Sequence, residues 1–352
     1  MGCNDLKFIS ARTGLAITKL MLTILICTSL NATAFARTFK IATEAPDGLF
    51  FMKTVRAAAA LIESETEGRV KFKIYPGGVQ GDDQTVLRKI KIGQLHGGMV
   101  AAGSLTRFYP DLQVYNLPLS FRSYDEVDYV RQHLDSIIAK GLKDAGIITF
   151  GLGEMGFAYI FSNAPVESVA DVLKSKAWVP DSDPTVLNII RTFGISPIPL
   201  KFADVLPGLQ TGLIDAVASP PVLVVAAQWH TRVKYVTEVP FMYTYAMMMM
   251  DQKPFNKISP TDQRTVEDKL GRAFAEIGKQ VRQANVAAYN ALLGQRIAVV
   301  RPSEEDMLVW QSKSEVAISK LVNSGLVSSK IVALLQKHLS EFRAGVGTSG
   351  NE

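Results

Sequence analysis

Cysteine is almost absent: the 352 residues hold two, Cys3 and Cys27, both near the chain start. There Arg12 and Lys19 precede the apolar run Leu20–Leu30, too short to span a bilayer, and "NATAFA" follows with a small-x-small cleavage signal at Ala34-Phe35-Ala36. The pattern predicts an export leader over residues 1–36, cleaved after Ala36, and a periplasmic protein. Bulky Ile26 before Cys27 argues against lipid attachment at that cysteine. Both thiols would leave with the leader, which excludes disulfide and cysteine chemistry from the mature chain. Histidine is scarce as well. His96, His133, His230 and His338 stand apart, with no H-E-x-x-H pair and no metal-ligand spacing, and no G-x-S-x-G elbow occurs. An excess of one charge is also lacking. Removing Lys7, Arg12, Lys19 and Asp5 from the 38 basic and 33 acidic residues leaves a net charge of +3, spread too evenly for nucleic-acid binding. No cofactor and no metal is implied, and nothing points to an enzyme.

What remains is enough chain for two domains and a sizeable core. Apolar patterning alternates between strand and helix. "TFKIATEAP", "VKFKIYPGG" and "HGGMVAAG" read as strands, with helices at "FMKTVRAAAALIESETEG" and "GDDQTVLRKIKIGQL", the latter capped by Asp82 or Asp83. A helix at "SYDEVDYVRQHLDSIIAKGLKDAG" leads into the strand "IITFGLGEMGFAYIFSN", and "VKYVTEVPFMYTYAMMMMD" is a late strand followed by a long helix and two more. Such alternation predicts an α/β fold with largely parallel sheets. The tail "AGVGTSGNE" reads as frayed.

Gly151, Gly153 and Gly156 match the dinucleotide fingerprint letter for letter. That fingerprint needs a helix after the turn, yet "FAYIFSN" continues as strand, so the glycines are read as a crossover or hinge between domains. The stretch "KAWVPDSDP" is more informative. Its "AWV" reads as a strand stopped by Pro180, and Asp181, Ser182 or Asp183 would cap a helix with Pro184 in its first position. Trp178 is thereby placed at the C-terminal end of a strand, where ligands bind in open α/β sheets.

From Arg37 to about Gly345 the chain resembles a substrate-binding protein of a TRAP (tripartite ATP-independent periplasmic) transporter, of the DctP-like family. The resemblance rests on "KFKIYPGGVQGDDQTVLRKIKIGQL", "YNLPLSFRSYDE", "SNAPVESVADV", "WVPDSDPTV", "GISPIPLKFADVLPGLQTGLIDAVASPP", "VKYVTEVP" and "FNKISPTDQ", in the family's order. It implies a two-domain periplasmic binding protein fold with hinge strands and a long helix spanning both domains. The division expected is 37–156 plus 246–288 for the first domain, and 157–245 plus 289–345 for the second. The resemblance further implies a ligand in the cleft between them, delivery to the membrane subunits of a TRAP permease, a tetratricopeptide-repeat lipoprotein as a further partner, and a monomer.

The departures from the family pattern bear on the ligand. Most of the family binds organic acids and carries Arg immediately before Val-Pro, where its guanidinium grips a carboxylate; this chain has Trp178. A second basic residue often precedes "SN", and here Phe157, Ala158, Tyr159 and Ile160 fill that stretch. The polar pair before Pro220 is Ala218-Ser219, and Ala102 stands beside Gly103 where some relatives carry Glu. Each change removes charge or polarity. A hydrophobic or aromatic ligand is therefore expected, met by Trp178, Pro180, Phe157, Tyr159, Ser219 and Pro220. Phe50, Phe51, Trp229 and Tyr243 are added as apolar candidates, with Asp83 and Gly103 at a polar end. Two alternatives are carried alongside: an organic acid held by a relocated cation (Lys201, Lys234 or Arg232), and a periplasmic enzyme acting through Asp181 and Asp183.

Overall fold

The structure, a computed structural model, describes residues 36–345. Cys3, Cys27 and all of the expected leader but Ala36 lie outside the described residues, as does the tail after Gly345. Nine strands are found among the described residues: β1 (Arg37–Thr43), β2 (Val70–Tyr75), β3 (Gly97–Ala101), β4 (Ile147–Ser162), β5 (Trp178–Pro180), β6 (Ile198–Leu200), β7 (Ala216–Ser219), β8 (Tyr235–Asp251) and β9 (Ala298–Val300). The principal helices are α1 (Phe50–Glu65), α2 (Asp83–Lys91), α3 (Tyr124–Asp144), α4 (Pro184–Thr192), α5 (Val205–Thr211), α6 (Pro221–Ala226), α7 (Pro260–Gly294), α8 (Glu304–Asn323) and α9 (Ser329–Arg343).

One mixed sheet runs β2-β1-β3-β8-β4-β7, with β9 on β8, and β5 pairs separately with β6. The expectation of largely parallel pairing needs correction. β1–β3, β5–β6 and β8–β9 are parallel, but β3–β8, β4–β8 and β4–β7 are antiparallel. The cause is the pair of long strands β4 and β8, which lie side by side in opposite directions from Ile147 opposite Asp251 to Ser162 opposite Tyr235. Residues 246–250 of β8 carry β3, and through it β1 and β2; the far ends carry β7 and β9. Two halves of the fold thus share two continuous strands. The 35-residue helix α7 packs on α1 in one half and on α6 in the other. The last helix, α9, returns to α3 and the turn at 110–116, so it joins the first half rather than the second to which the sequence division assigned it. Arg343 holds it there by donating to Glu126 at 2.8 Å.

Local signals explain these elements. Asp82 caps α2 by accepting from the Thr85 N–H at 2.8 Å, and Ser259 caps α7 through the Asp262 N–H at 3.0 Å. The methionine run is core: Met247 and Met249 face one hydrophobic cluster, Met248 and Met250 the other, and none exceeds 2 % exposure. Alternation across a sheet covered on both faces accounts for a strand without polar positions. The false fingerprint lies within continuous β4. Its register with β8 shifts between Thr149 and Leu152 and between Glu154 and Gly156, with Gly151 and Gly156 at φ 127° and 101°. A β-carbon at Gly156 would stand 2.4 Å from Nδ2 of Asn285 on α7, so glycine there permits the long helix to approach the strand.

Candidate functional site

A cavity of about 310 Å³ lies between the two halves. Its floor comes from the middle of β8 (Phe241, Met242, Thr244–Met247) and β4 (Gly153–Met155, Ala158); α7 adds Phe274, Ile277 and Val281. The first half contributes the end of β1 (Thr43, Glu44), Phe51, Asp83, β3 and Asn116. The second contributes β5 with the following turn (Trp178–Asp183), Phe202, Ser219, Pro220 and Trp229. This volume suits a small molecule, and the wall is largely apolar.

Trp178 is 9 % exposed and donates through Nε1–H to the Leu200 carbonyl at 3.0 Å. Its ring meets Trp229 edge-on at 5.3 Å, and Trp229 in turn lies 5.1 Å from Phe202. The three rings form an aromatic wall whose polar atom is already satisfied. Contrary to the sequence reading, Trp178 opens β5 rather than closing it. Pro180 is tolerated as the last strand residue because the ladder to β6 uses the Ala177 carbonyl and the Asp181 N–H, which reach Ile198 and Leu200. Asp183 is the helix cap, accepting from the Val186 N–H at 3.0 Å.

Charge is distributed unevenly. Among the described residues no lysine, arginine or histidine lines the cavity, whereas Glu44, Asp83, Glu154, Asp181 and Asp183 do. Burial pushes the Glu44 carboxyl up to about 7, and Asp83, Asp82 and Asp181 add to the effect. Burial likewise pushes Asp83 up to about 6, against the pull of its hydrogen bonds from the Ser104 hydroxyl at 2.8 Å and the Ala101 N–H at 2.9 Å. Asp82 is drawn down to about 2 by Lys201, whose Nζ lies 2.8 Å away. Glu154 is held by Arg282 of α7 at 2.8 Å.

Several contacts join the halves beside the cavity. Beside the Asp82–Lys201 pair, Gln84 donates to the Ser182 carbonyl at 3.2 Å and Gln113 to Asp183 at 3.4 Å.

Residues 41–324 match the bacterial extracellular solute-binding protein family 7, DctP. The chain belongs to this family. Its DctP-like members are the substrate-binding proteins of TRAP transporters: periplasmic proteins, not enzymes, that bind a small solute and work with membrane permease subunits. Among relatives, the sialic acid-binding periplasmic protein SiaP of Vibrio cholerae is 24 % identical over 271 residues, 75 % of this chain and 82 % of that protein. The C4-dicarboxylate-binding protein DctP of Rhodobacter capsulatus is 28 % identical over 223 residues, 61 % of this chain and 64 % of that one. In fold, the sugar acid-binding protein of Advenella mimigardefordensis, solved with galactonate, superimposes with a TM-score of 0.79 at 19 % identity, covering 87 % of this chain and 99 % of the other. The family fold expected from the sequence, two α/β domains with shared strands and a long helix, is the fold observed.

Within this DctP-family fold, Phe51, Asp83, Gly103, Trp178, Pro180, Ser219, Pro220 and Trp229 line the cavity. Phe50, Phe157, Tyr159 and Tyr243 do not. Phe50 packs on Phe51 at 5.8 Å outside the cavity, and Tyr159 turns to Tyr289 of α7 at 5.7 Å. Phe157 and Tyr243 meet at 5.6 Å in the core behind the floor, with Tyr124 4.9 Å from Phe157. Phe157 and Tyr159 stand one place to either side of the lining residue Ala158 and so face the other side of the sheet, which the family position of a basic residue before "SN" did not distinguish. Lys201, Lys234 and Arg232, offered as relocated cations, are exposed and do not line the cavity. The sequence reading passed over Glu44, Asn116, Phe202, Phe241 and Tyr245. Glu44 had a usable signal, a carboxyl just past the C-terminal end of β1; Asn116, in a short turn of 3₁₀ helix, had none.

Proposed function

We propose that this TRAP solute-binding protein captures a compact, largely apolar solute, with an aromatic or hydrophobic body and a single polar end, and delivers it to its permease. The observation that carries this is the cavity lining: the aromatic rings of Trp178, Trp229 and Phe202 together with Met247 and Phe274, and no cationic side chain among the described lining residues. An organic acid would lose its hydration there without gaining a counter-charge, facing Glu44, Asp83 and Asp181 instead; an unpaired buried carboxylate costs several kcal/mol. An apolar body needs no such anchor. Burying about 300 Å² of it contributes about 7.5 kcal/mol before ordering costs.

The acids named for SiaP, DctP and the galactonate-bound protein favour a second reading, an organic acid gripped by a cation brought into the cleft. Lys201 is the candidate, since its partner Asp82 adjoins the cavity residue Asp83. A thermal-shift screen separates the two. It sets aromatic and aliphatic alcohols, amides and amines against C4-dicarboxylates, aldonates and uronates. Saturation at about 100 times the dissociation constant adds about 2.7 kcal/mol. Stabilisation by the apolar set, lost in Trp178→Phe/Trp229→Phe, is expected; stabilisation by the acids alone, lost in Lys201→Met, would replace the first reading with the second.

A further inference from the structure

The cavity has a polar end, and its composition is one-sided. Glu44, Asp83 and Asp181 gather where the end of β1, the first turn of α2 and the turn after β5 converge, and their carboxyls act on one another through space. Among the described residues none of the three has an ion pair; the single nearby cation, Lys201, is committed to Asp82. Asp183 is different, because Val186 N–H and the Gln113 amide already occupy its Oδ1. Glu154 is also different, because Arg282 neutralises it.

The lining as a whole points the same way: among its described residues five are carboxylic acids and none is a lysine, arginine or histidine.

We propose that the polar end of the solute is a protonated amine, received by the carboxyls of Glu44, Asp83 and Asp181. The inference rests on the apolar-body reading above and adds the chemical class of the other end: an aryl or alkyl ammonium compound. A neutral hydroxyl or amide would bring no counter-charge to these carboxyls. An ammonium supplies up to three donors and the missing positive charge at once. It would also favour the ionised form of Glu44, so the complex should take up ligand with release of a proton near neutral pH.

Isothermal titration of the purified protein with compounds sharing one body tests this: phenethylamine, 2-phenylethanol, phenylacetamide and 3-phenylpropanoate. The amine is expected to bind at least about tenfold more tightly than the alcohol, one decade in the binding constant, with the acid weakest. In Glu44→Gln, a near-isosteric change, the amine-to-alcohol ratio should fall at least about threefold, and the proton release seen by comparing buffers of different ionisation enthalpy should shrink. Equal binding of amine, alcohol and amide would overturn the cationic end while leaving the apolar cavity standing. Tightest binding by the acid, or no binding by any of the four at millimolar concentration, would overturn both.

Discussion

Asp183 occupies the space that a side chain at Gly103 would need: a β-carbon on Gly103 would lie 1.6 Å from Asp183 Oδ2. Gly103 belongs to the turn after β3, in one half of the molecule, and Asp183 caps α4 in the other. The two halves meet closely enough here that only glycine fits. Gly103→Ala should therefore oppose closure more than it opposes folding. The expected outcome is a melting midpoint within a few degrees of the parent and ligand affinity lowered at least about tenfold. Unchanged affinity would mean that Asp183 moves aside freely.

Trp178 gives a graded pair of variants. Trp178→Ala removes a nearly buried indole from the Trp229–Phe202 wall and should cost about 3–5 kcal/mol of stability. Trp178→Phe retains most of the apolar area and deletes the Nε1–H bond to Leu200, leaving that carbonyl to find another donor, for about 1 kcal/mol. Chemical denaturation measures both. A larger loss in Trp178→Phe than in Trp178→Ala would contradict this account of the wall.

The acid cluster should write itself into the pH dependence of the ligand-free protein. The folded-state pKa values of Glu44 and Asp83 are raised to about 7 and about 6, so the folded chain holds more protons than the unfolded one between their ordinary values and these. Stability from these two groups is greatest below about pH 4 and falls as pH rises through 6 and 7. Asp82, drawn down to about 2, acts oppositely, but its contribution is complete by about pH 4. Melting curves should thus show a decline from pH 5 to pH 7.5 that Glu44→Gln reduces. A rise over that window in the parent would contradict the burial of these carboxyls.

Arg282 of α7 donates to Glu154 on β4 at 2.8 Å and to Asp128 on α3 at 2.7 Å, tying three elements together beneath the cavity floor. Glu154 is 2 % exposed, so Arg282→Met leaves a buried carboxylate with little compensation, since Arg131 stands at 4.0 Å. A loss of about 3 kcal/mol is expected, with much of it recovered in Arg282→Met/Glu154→Gln. A double-mutant cycle in denaturant checks this; strict additivity of the two changes would contradict the pairing.

Much of the fold was legible because strand and helix periods are strong where the chain is long. Local chemistry narrowed the α2 cap to Asp82 or Asp83 and the α4 cap to Asp181, Ser182 or Asp183, of which Asp82 and Asp183 serve, and it carried the strand on through the Gly151–Gly156 pattern. Strand direction did not follow. Antiparallel pairing of β4 with β8 joins segments some ninety residues apart, and no local signal encodes it. The aromatic wall was half legible: "AWVPDSDP" drew attention to Trp178, while Phe202 and Phe241 reach the cavity only through tertiary packing. Asn116 illustrates the limit. Its place on the cavity lining is a property of its surroundings and not of its letter.

The claim at the centre is that this cavity holds its solute without a cationic side chain. A crystal structure with the tightest compound from the thermal-shift screen tests it most directly. The account predicts the apolar body against Trp178, Phe202 and Trp229, a nitrogen within hydrogen-bond distance of the Glu44 or Asp83 carboxyl, and no lysine or arginine on the ligand. A carboxylate paired with Lys201, or with any arginine drawn into the cleft, would contradict it.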